Sequence, residues 1–282
     1  MRVAFVLSGG ASLGACQAGM LEALYERGIR ADMIVGSSVG AINGAFIASR
    51  PPTVDTARKL QGIWTALNRS QVLPANPLAA GLGLLGKRDH IVPVDPLRRL
   101  VRSHVEFEDL KEAAVEIHVI AADSLTGEEV RLSRGPAVQA ILASAAIPGV
   151  FPCVHWDGRR LMDGGAINNT PISHAVELGA DRVIVLPAIG GEQRMGAPRG
   201  ALAAGLLAIS HILARRLAED IARYEGDIEL TVLPAPAAPG LPTDFTRARE
   251  LIADGLSRAR WTLARRPRRR GRAAASALRR VA

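Results

Sequence analysis

The chain has 282 residues, 48% of them apolar and only 4% aromatic, which is ample for one substantial core and favours a single large domain. Its formal charge of +8 is carried by the eight arginines from Arg265 onward, so residues 1–264 sum to zero and do not have the basic body of a nucleic-acid-binding domain. The two cysteines, Cys16 and Cys153, match neither a metal spacing nor a disulfide framework; they fit a reducing, cytoplasmic setting, and neither metal nor cofactor is expected.

Val3 to Leu7 is a continuous apolar run, as expected of a strand buried on both faces. It ends at Ser8-Gly9-Gly10 without a cleavage site, so it does not read as a signal peptide. A helix is expected from about Ser12 to Arg27, stopped by Gly28, followed by a second strand at Asp32 to Val35. Gly36 to Gly40 forms its exit turn, and Ala41 to Ser49 the next helix. This alternation predicts a parallel sheet with right-handed crossovers. Thr53 caps a helix to Leu67. Asn68 to Pro96 is rich in Pro and Gly, lacks periodicity, and carries the apolar run Leu78 to Leu85. Further on, the pattern predicts a strand at Val115 to Ala121 and a helix at Ala137 to Ala145. A hairpin is expected around Asp157-Gly158, and then a helix to Leu178 with Thr170 as N-cap and Pro171 at its first position. A strand at Arg182 to Leu186, a long helix, a short strand at Ile228 to Leu233 and a helix over Asp244 to Leu263 complete a domain over 1–264. Residues 265–282 read as a disordered Arg-rich tail. No run reaches the roughly 18 apolar residues that cross a bilayer; Ala201 to Leu213 comes nearest.

Three segments carry chemistry. Gly36-Ser37-Ser38-Val39-Gly40 is a G-x-S-x-G sequence at a strand-to-helix turn, where a nucleophilic serine projects its hydroxyl from a strained backbone and flanking side chains would clash. Ser8-Gly9-Gly10-Ala11-Ser12-Leu13-Gly14 offers backbone N–H groups to an anion. A nucleotide P-loop would need Lys and Ser/Thr after Gly14, where Ala15 and Cys16 stand. A dinucleotide fingerprint would need glycine at Ala11 and an acid at the end of the second strand, which Gly36 to Gly40 occupies. Asp163-Gly164-Gly165 follows apolar Leu161 and Met162; read by itself it is an ordinary Asp-Gly turn, but partial burial beside a cleft would make Asp163 a better proton acceptor. A histidine is the alternative base. In the order of an α/β-hydrolase, His174 or His211 would serve, but that fold places several strands before its serine, and Ser38 follows only the second.

The three segments in this order, together with Ala143-Ser144-Ala145-Ala146-Ile147-Pro148-Gly149-Val150-Phe151-Pro152, resemble the patatin-like phospholipase family from Val3 to about Ala188. The resemblance implies a three-layer α/β/α sandwich around a mostly parallel sheet. It also implies a metal-independent serine hydrolase acting on lipid acyl esters through a Ser-Asp dyad without histidine. The nucleophile carries over to Ser38, the acid to Asp163 and the oxyanion loop to Gly9, Gly10 and Ala11, with Gly36, Gly40, Gly164 and Gly165 supporting the turns. Many members have Arg or Lys just before the last glycine of the oxyanion loop; here Leu13 leaves the backbone donors without a side-chain charge. Leu78 to Leu85 either pack on the core or make peripheral membrane contact, and the Arg-rich tail is either solvated or drawn to anionic lipid. A non-catalytic lipid-binding protein on the same fold, or a nucleotide-binding protein, are the alternatives.

Overall fold

A computed structural model describes residues 1–74, 81–82, 85, 87–190, 201–238 and 240–265, with the backbone alone at 201–207 and 210. The run Leu78 to Leu85 and the Arg-rich tail therefore lie largely outside the described residues; of the former, Leu85 is 72% exposed.

The first half follows the apolar pattern. Strand β1 (Val3–Leu7) is succeeded by a 3-10 turn at Ala11–Gly14 and helix α1 (Ala15–Glu26), so regular helix begins three residues later than the sequence suggests. Gly28, at φ 68°, ends α1: its N–H donates to the Tyr25 carbonyl at 2.9 Å and that of Ile29 to the Leu24 carbonyl at 3.0 Å. This pairing satisfies carbonyls the last turn would leave orphaned. Strand β2 (Met33–Ser37) enters α2 (Val39–Ala48), and α3 (Val54–Ala66) is capped by the Thr53 hydroxyl, which accepts from the Thr56 N–H at 3.3 Å.

The expected irregular stretch contains α4 (Arg69–Val72), a single turn held by an Asn68/Gln71 capping box, and at its end α5 (Asp95–Arg102) with Pro96 in its first turn. Strand β3 (Glu116–Asp123) runs two residues beyond expectation and pairs with β4 (Glu129–Leu132), which the sequence reading missed. Helix α6 (Ala137–Ser144) leads to the hairpin β5 (Val154–Trp156) and β6 (Arg159–Asp163), turned by Asp157 at φ 43° and Gly158 at φ 78°. Helix α7 (Ile172–Glu177) starts one residue late: Pro171 has ψ 61°, outside the helical range, and is itself the N-cap in place of Thr170. Strand β7 (Arg182–Leu186), α8 (Ala201–Tyr224), β8 (Glu229–Val232) and α9 (Ala248–Arg265) follow. Helix α9 begins four residues later than expected because Asp244 accepts from the Thr246 N–H and hydroxyl and holds a turn there.

Among the described residues the strands form one mixed sheet in the order β5-β6-β3-β2-β1-β7-β8, with β4 on β3. The segment β3-β2-β1-β7-β8 is parallel, and β4, β5 and β6 are antiparallel additions. Alternate residues of each strand feed two cores, as the two-residue period of a strand requires. Phe5, Leu7 and Ile34 pack with α1, α2, α3 and α9 on one face; Ala4, Val6, Met33 and Val35 pack with Ile172, Ala175 and Leu217 on the other. Helix α9 docks on α1 so closely that a Cβ on Gly19 would stand 2.1 Å from the Ile252 carbonyl oxygen, and one on Gly255 2.4 Å from that of Cys16. Cys16 is buried among these contacts, and burial pushes its thiol up, out of reach of ionisation.

One feature of the register positions the site. On the edge of β3 away from β4, β2 pairs with Glu116 to Ile120 and β6 takes over from Ala121, where Asp163 is the partner. The end of β2 therefore abuts the end of β6, and Ser38 turns off the sheet where Asp163 arrives.

Candidate active site

Ser38 stands between β2 and α2 at φ 54°, ψ −125°. A non-glycine residue held there stores about 1–3 kcal/mol, which the surroundings must offset. The flanking glycines show how. A Cβ on Gly36 would lie 2.6 Å from the Gly40 carbonyl oxygen, and one on Gly40 only 2.1 Å from that of Leu7. The backbone folds against itself so tightly that side chains have no room. The Ser38 N–H donates to the Ser144 hydroxyl at 2.8 Å, and that hydroxyl donates onward to the Ile120 carbonyl at 2.5 Å. Ser144 therefore braces the turn from α6, a role its place in the Ala143–Pro152 segment did not disclose.

The Ser38 hydroxyl donates to Asp163 Oδ2 at 2.6 Å, and Asp163 Oδ1 accepts from the Gly165 N–H at 2.7 Å. The Asp163 N–H is tied to the Ala146 carbonyl at 2.9 Å. Gly164 lets this segment pass β3, since a Cβ there would stand 2.2 Å from the Ile120 carbonyl oxygen; at Gly165 one would stand 2.8 Å from Asn169 Oδ1. Burial pushes the Asp163 carboxyl up to about 6, against the opposing pull of its hydrogen bonds from Ser38 and Gly165. It thus ionises close to neutrality, where a general base works best.

The loop after β1 brings amides to the same place, though not all three expected ones. The Gly9 N–H is already given to the Asn169 carbonyl at 3.1 Å. Gly9 is needed for another reason: its Cβ would fall 2.4 Å from Asn169 Oδ1 and 3.0 Å from Ser38 Cβ. The N–H groups of Gly10 and Ala11 donate to no group among the described residues. Ala11, at φ 49°, turns the chain there. Leu13 is 2% exposed and belongs to the main core, so the position at which the family resemblance implies a cation holds a packing residue here. Asn169 was absent from the sequence-based candidates; the run Asn168-Asn169-Thr170, buried despite its polarity, is the trace it leaves in the sequence.

The six histidines are occupied elsewhere or exposed. His174 Nε2 meets Glu129 at 2.8 Å, and His118 sits between Ser133 and Glu116. His90 pairs with Asp89, and His155 and His211 are exposed. His104, bonded to the Leu100 carbonyl at 2.8 Å, lines the cavity that opens beside Ser38. That cavity is walled by α2, α3 and α5 and is apolar apart from Ser38, Asn43 and His104. Among the described residues no three His, Cys, Asp or Glu side chains gather as a metal site, and no helix is long and apolar enough to cross a membrane.

Residues 5–176 match the family model of the patatin-like phospholipases. The chain belongs to the patatin-like phospholipase family. An uncharacterized NTE family protein of Mycobacterium tuberculosis is 31% identical over 191 residues, which cover 68% of this chain and 50% of that protein. Mouse patatin-like phospholipase domain-containing protein 7 is 28% identical over 193 residues, 65% of this chain and 13% of that protein. The chain thus aligns with half or less of these patatin-like relatives. Among solved structures, VipD from Legionella pneumophila shares the fold with a TM-score of 0.52 at 15% identity, covering 93% of this chain and 66% of that one.

Proposed function

We propose that this member of the patatin-like phospholipase family is a serine hydrolase of lipid acyl esters, with Ser38 as nucleophile and Asp163 as its only base. The observation that carries the reading is the 2.6 Å hydrogen bond from a strained, turn-borne hydroxyl to a buried carboxylate. Asp163 accepts the Ser38 proton as the oxygen attacks the ester carbonyl. The tetrahedral oxyanion is held by the N–H groups of Gly10 and Ala11, with the N-terminal end of α2 adding its positive dipole end. The proton on Asp163 then passes to the leaving alcohol, and the acyl-enzyme forms. Water, deprotonated by the same carboxylate, attacks the acyl carbon, and the acid leaves as Asp163 returns that proton to the Ser38 oxygen. A carboxyl that ionises at about 6 suits both halves of this cycle, since it must gain the proton and lose it again. No step calls on a metal or an organic cofactor.

Lipid as the substrate class follows from the family and from the apolar cavity beside the serine. The test is hydrolysis by the purified protein of short-chain nitrophenyl esters and a mixed phospholipid panel, beside Ser38→Ala. Cleavage by the wild type and its loss in the variant are expected. Cleavage that persists in Ser38→Ala contradicts the assignment, and liposome binding without any cleavage replaces the hydrolase with a lipid-binding protein.

A further inference from the structure

The cavity beside Ser38 ends on a partition whose members can be named. Along α2, Val39, Ile42 and Phe46 turn one face toward it, and α3 and α5 supply the opposite wall, among them Leu60, Trp64 and Leu97. Asn43 interrupts this wall without making it polar. Its amide donates to the Gly14 carbonyl and Gln17 Oε1, and its oxygen accepts from the Trp64 indole at 3.1 Å. Phe46, Ile63, Leu67, Leu100 and His104 face this cavity and also face a more open outer cleft bearing Arg50, Lys59 and Gln71. These five residues are shared by the two and separate the interior from the outer cleft.

Phe46 is held in place by Arg50. The Arg50 guanidinium lies 3.9 Å from the Phe46 ring centroid. Arg50 is fixed in turn by Glu106 at 2.5 Å and donates to the Phe46 and His104 carbonyls at 2.9 Å each. From Ser38 to Phe46 the helix advances about 12 Å at ~1.5 Å per residue. An extended hydrocarbon advances about 1.25 Å per carbon, given bonds of about 1.52 Å and angles near 111°. The interior from the serine to the ring therefore measures about ten carbons.

Resting on the ester-hydrolase reading above, we propose that this cavity takes one unbranched, medium-chain acyl group end-on, about eight to twelve carbons long, and that Phe46 is the stop against which its methyl end rests. Each methylene that enters before the stop raises kcat/KM about fourfold, the fold-change equivalent of ~0.8 kcal/mol. Carbons beyond it find no room.

The test is kcat/KM for nitrophenyl esters from acetate to hexadecanoate. Wild type should peak between octanoate and dodecanoate, with hexadecanoate at least about tenfold lower because a chain halted at Phe46 before its end holds its ester out of place at Ser38. Phe46→Ala should move the peak to longer chains by joining the interior to the outer cleft. Ile42→Phe, nearer the serine, should move it to shorter ones. Phe46→Leu, a milder change for which circular dichroism and melting verify the fold, should lengthen the optimum by about two carbons, in line with the ring volume removed. A flat wild-type profile, or an unmoved peak in the folded variants, overturns the proposal. Calorimetry on Ser38→Ala separates this from the hydrolase reading. Dodecanoate should bind more tightly than hexadecanoate even where no ester is cleaved, and equal affinities overturn the tunnel. Ester cleavage without a chain-length optimum removes the stop and leaves the hydrolase; chain-selective binding in a protein that cleaves no ester removes the hydrolase and leaves the stop.

Discussion

Two glycine-rich turns stand side by side at the ends of neighbouring parallel strands, and they do different work. Among the described residues, the turn after β1 leaves two backbone N–H groups unspent at Gly10 and Ala11, whereas the turn after β2 spends its N–H at Ser38 on Ser144 and presents a hydroxyl. Each turn is shaped by the other. A Cβ on Gly40 would strike the Leu7 and Ser8 carbonyls, one on Gly14 would stand 2.6 Å from a Val39 methyl, and one on Gly9 would crowd Ser38. The glycines of one turn are therefore requirements of its neighbour, and donors and nucleophile are held in one geometry by backbone pressed on backbone.

The sharpest way to break this pairing is Gly40→Ala. Its methyl would lie 2.1 Å from a backbone carbonyl oxygen that belongs to β1 and cannot swing aside. A loss of about 3 kcal/mol is expected, a fall in Tm on the order of 10 °C, together with loss of esterase activity. A variant that melts and turns over like wild type would mean that the turns do not touch.

Asp163→Asn tests the hydroxyl-bearing turn alone. It should lower kcat/KM by about 10²–10⁴-fold, the span of general acid–base catalysis. Its stability should move the other way. Burial raises the folded carboxyl from 3.8 to about 6, so the protonated form is the one the fold favours. That favourable contribution is complete below about 3.8 and is lost as pH rises through about 6. The asparagine, which never ionises, should therefore melt at or above the wild type at pH 8 and lose that advantage at pH 4. A variant less stable at pH 8 than at pH 4, relative to wild type, contradicts the burial of a charge at this site.

Ser144→Ala removes the acceptor of the Ser38 N–H while touching neither turn's glycines. A buried amide left unpaired costs about 1–3 kcal/mol, and if part of that loosens Ser38, kcat should fall about 10–100-fold with KM little changed. An equal loss in KM and none in kcat would make Ser144 a packing residue. The smallest effect is expected at Ala11→Gly in the donor turn. Glycine relieves the φ of 49° but adds freedom to the unfolded chain, so stability should change by less than about 1 kcal/mol and kcat by less than about threefold. A larger fall in kcat would assign the Ala11 methyl, which lines the cavity, a part in substrate placement.

The same two turns explain what was legible in the sequence. β1, β2 and β7 are bare apolar runs because both faces of the central sheet are covered, and Gly36 and Gly40 announce a clash that any strand-to-helix serine turn would meet. Whether a partner amide is free cannot be read locally. Gly9 loses its N–H to Asn169, 160 residues away, and Ser144 becomes a brace only through the register that brings Ile120 beneath it. β4 escaped notice because Glu129-Val130-Arg131-Leu132 is short and charged, and only its pairing with β3 makes it a strand. Leu13 was visible as a departure from the family, but its burial in the core, which explains the departure, was not.

The central claim is that Ser38 is activated by a carboxylate and by nothing else. The rate at which a fluorophosphonate labels the protein, followed across pH with the modified residue located by mass spectrometry, tests it most directly. Labelling should fall on Ser38, rise as pH passes about 6 and level off above it, and both the rate and the inflection should vanish in Asp163→Asn. Labelling of another residue, or a profile at Ser38 that Asp163→Asn leaves in place, would contradict the account.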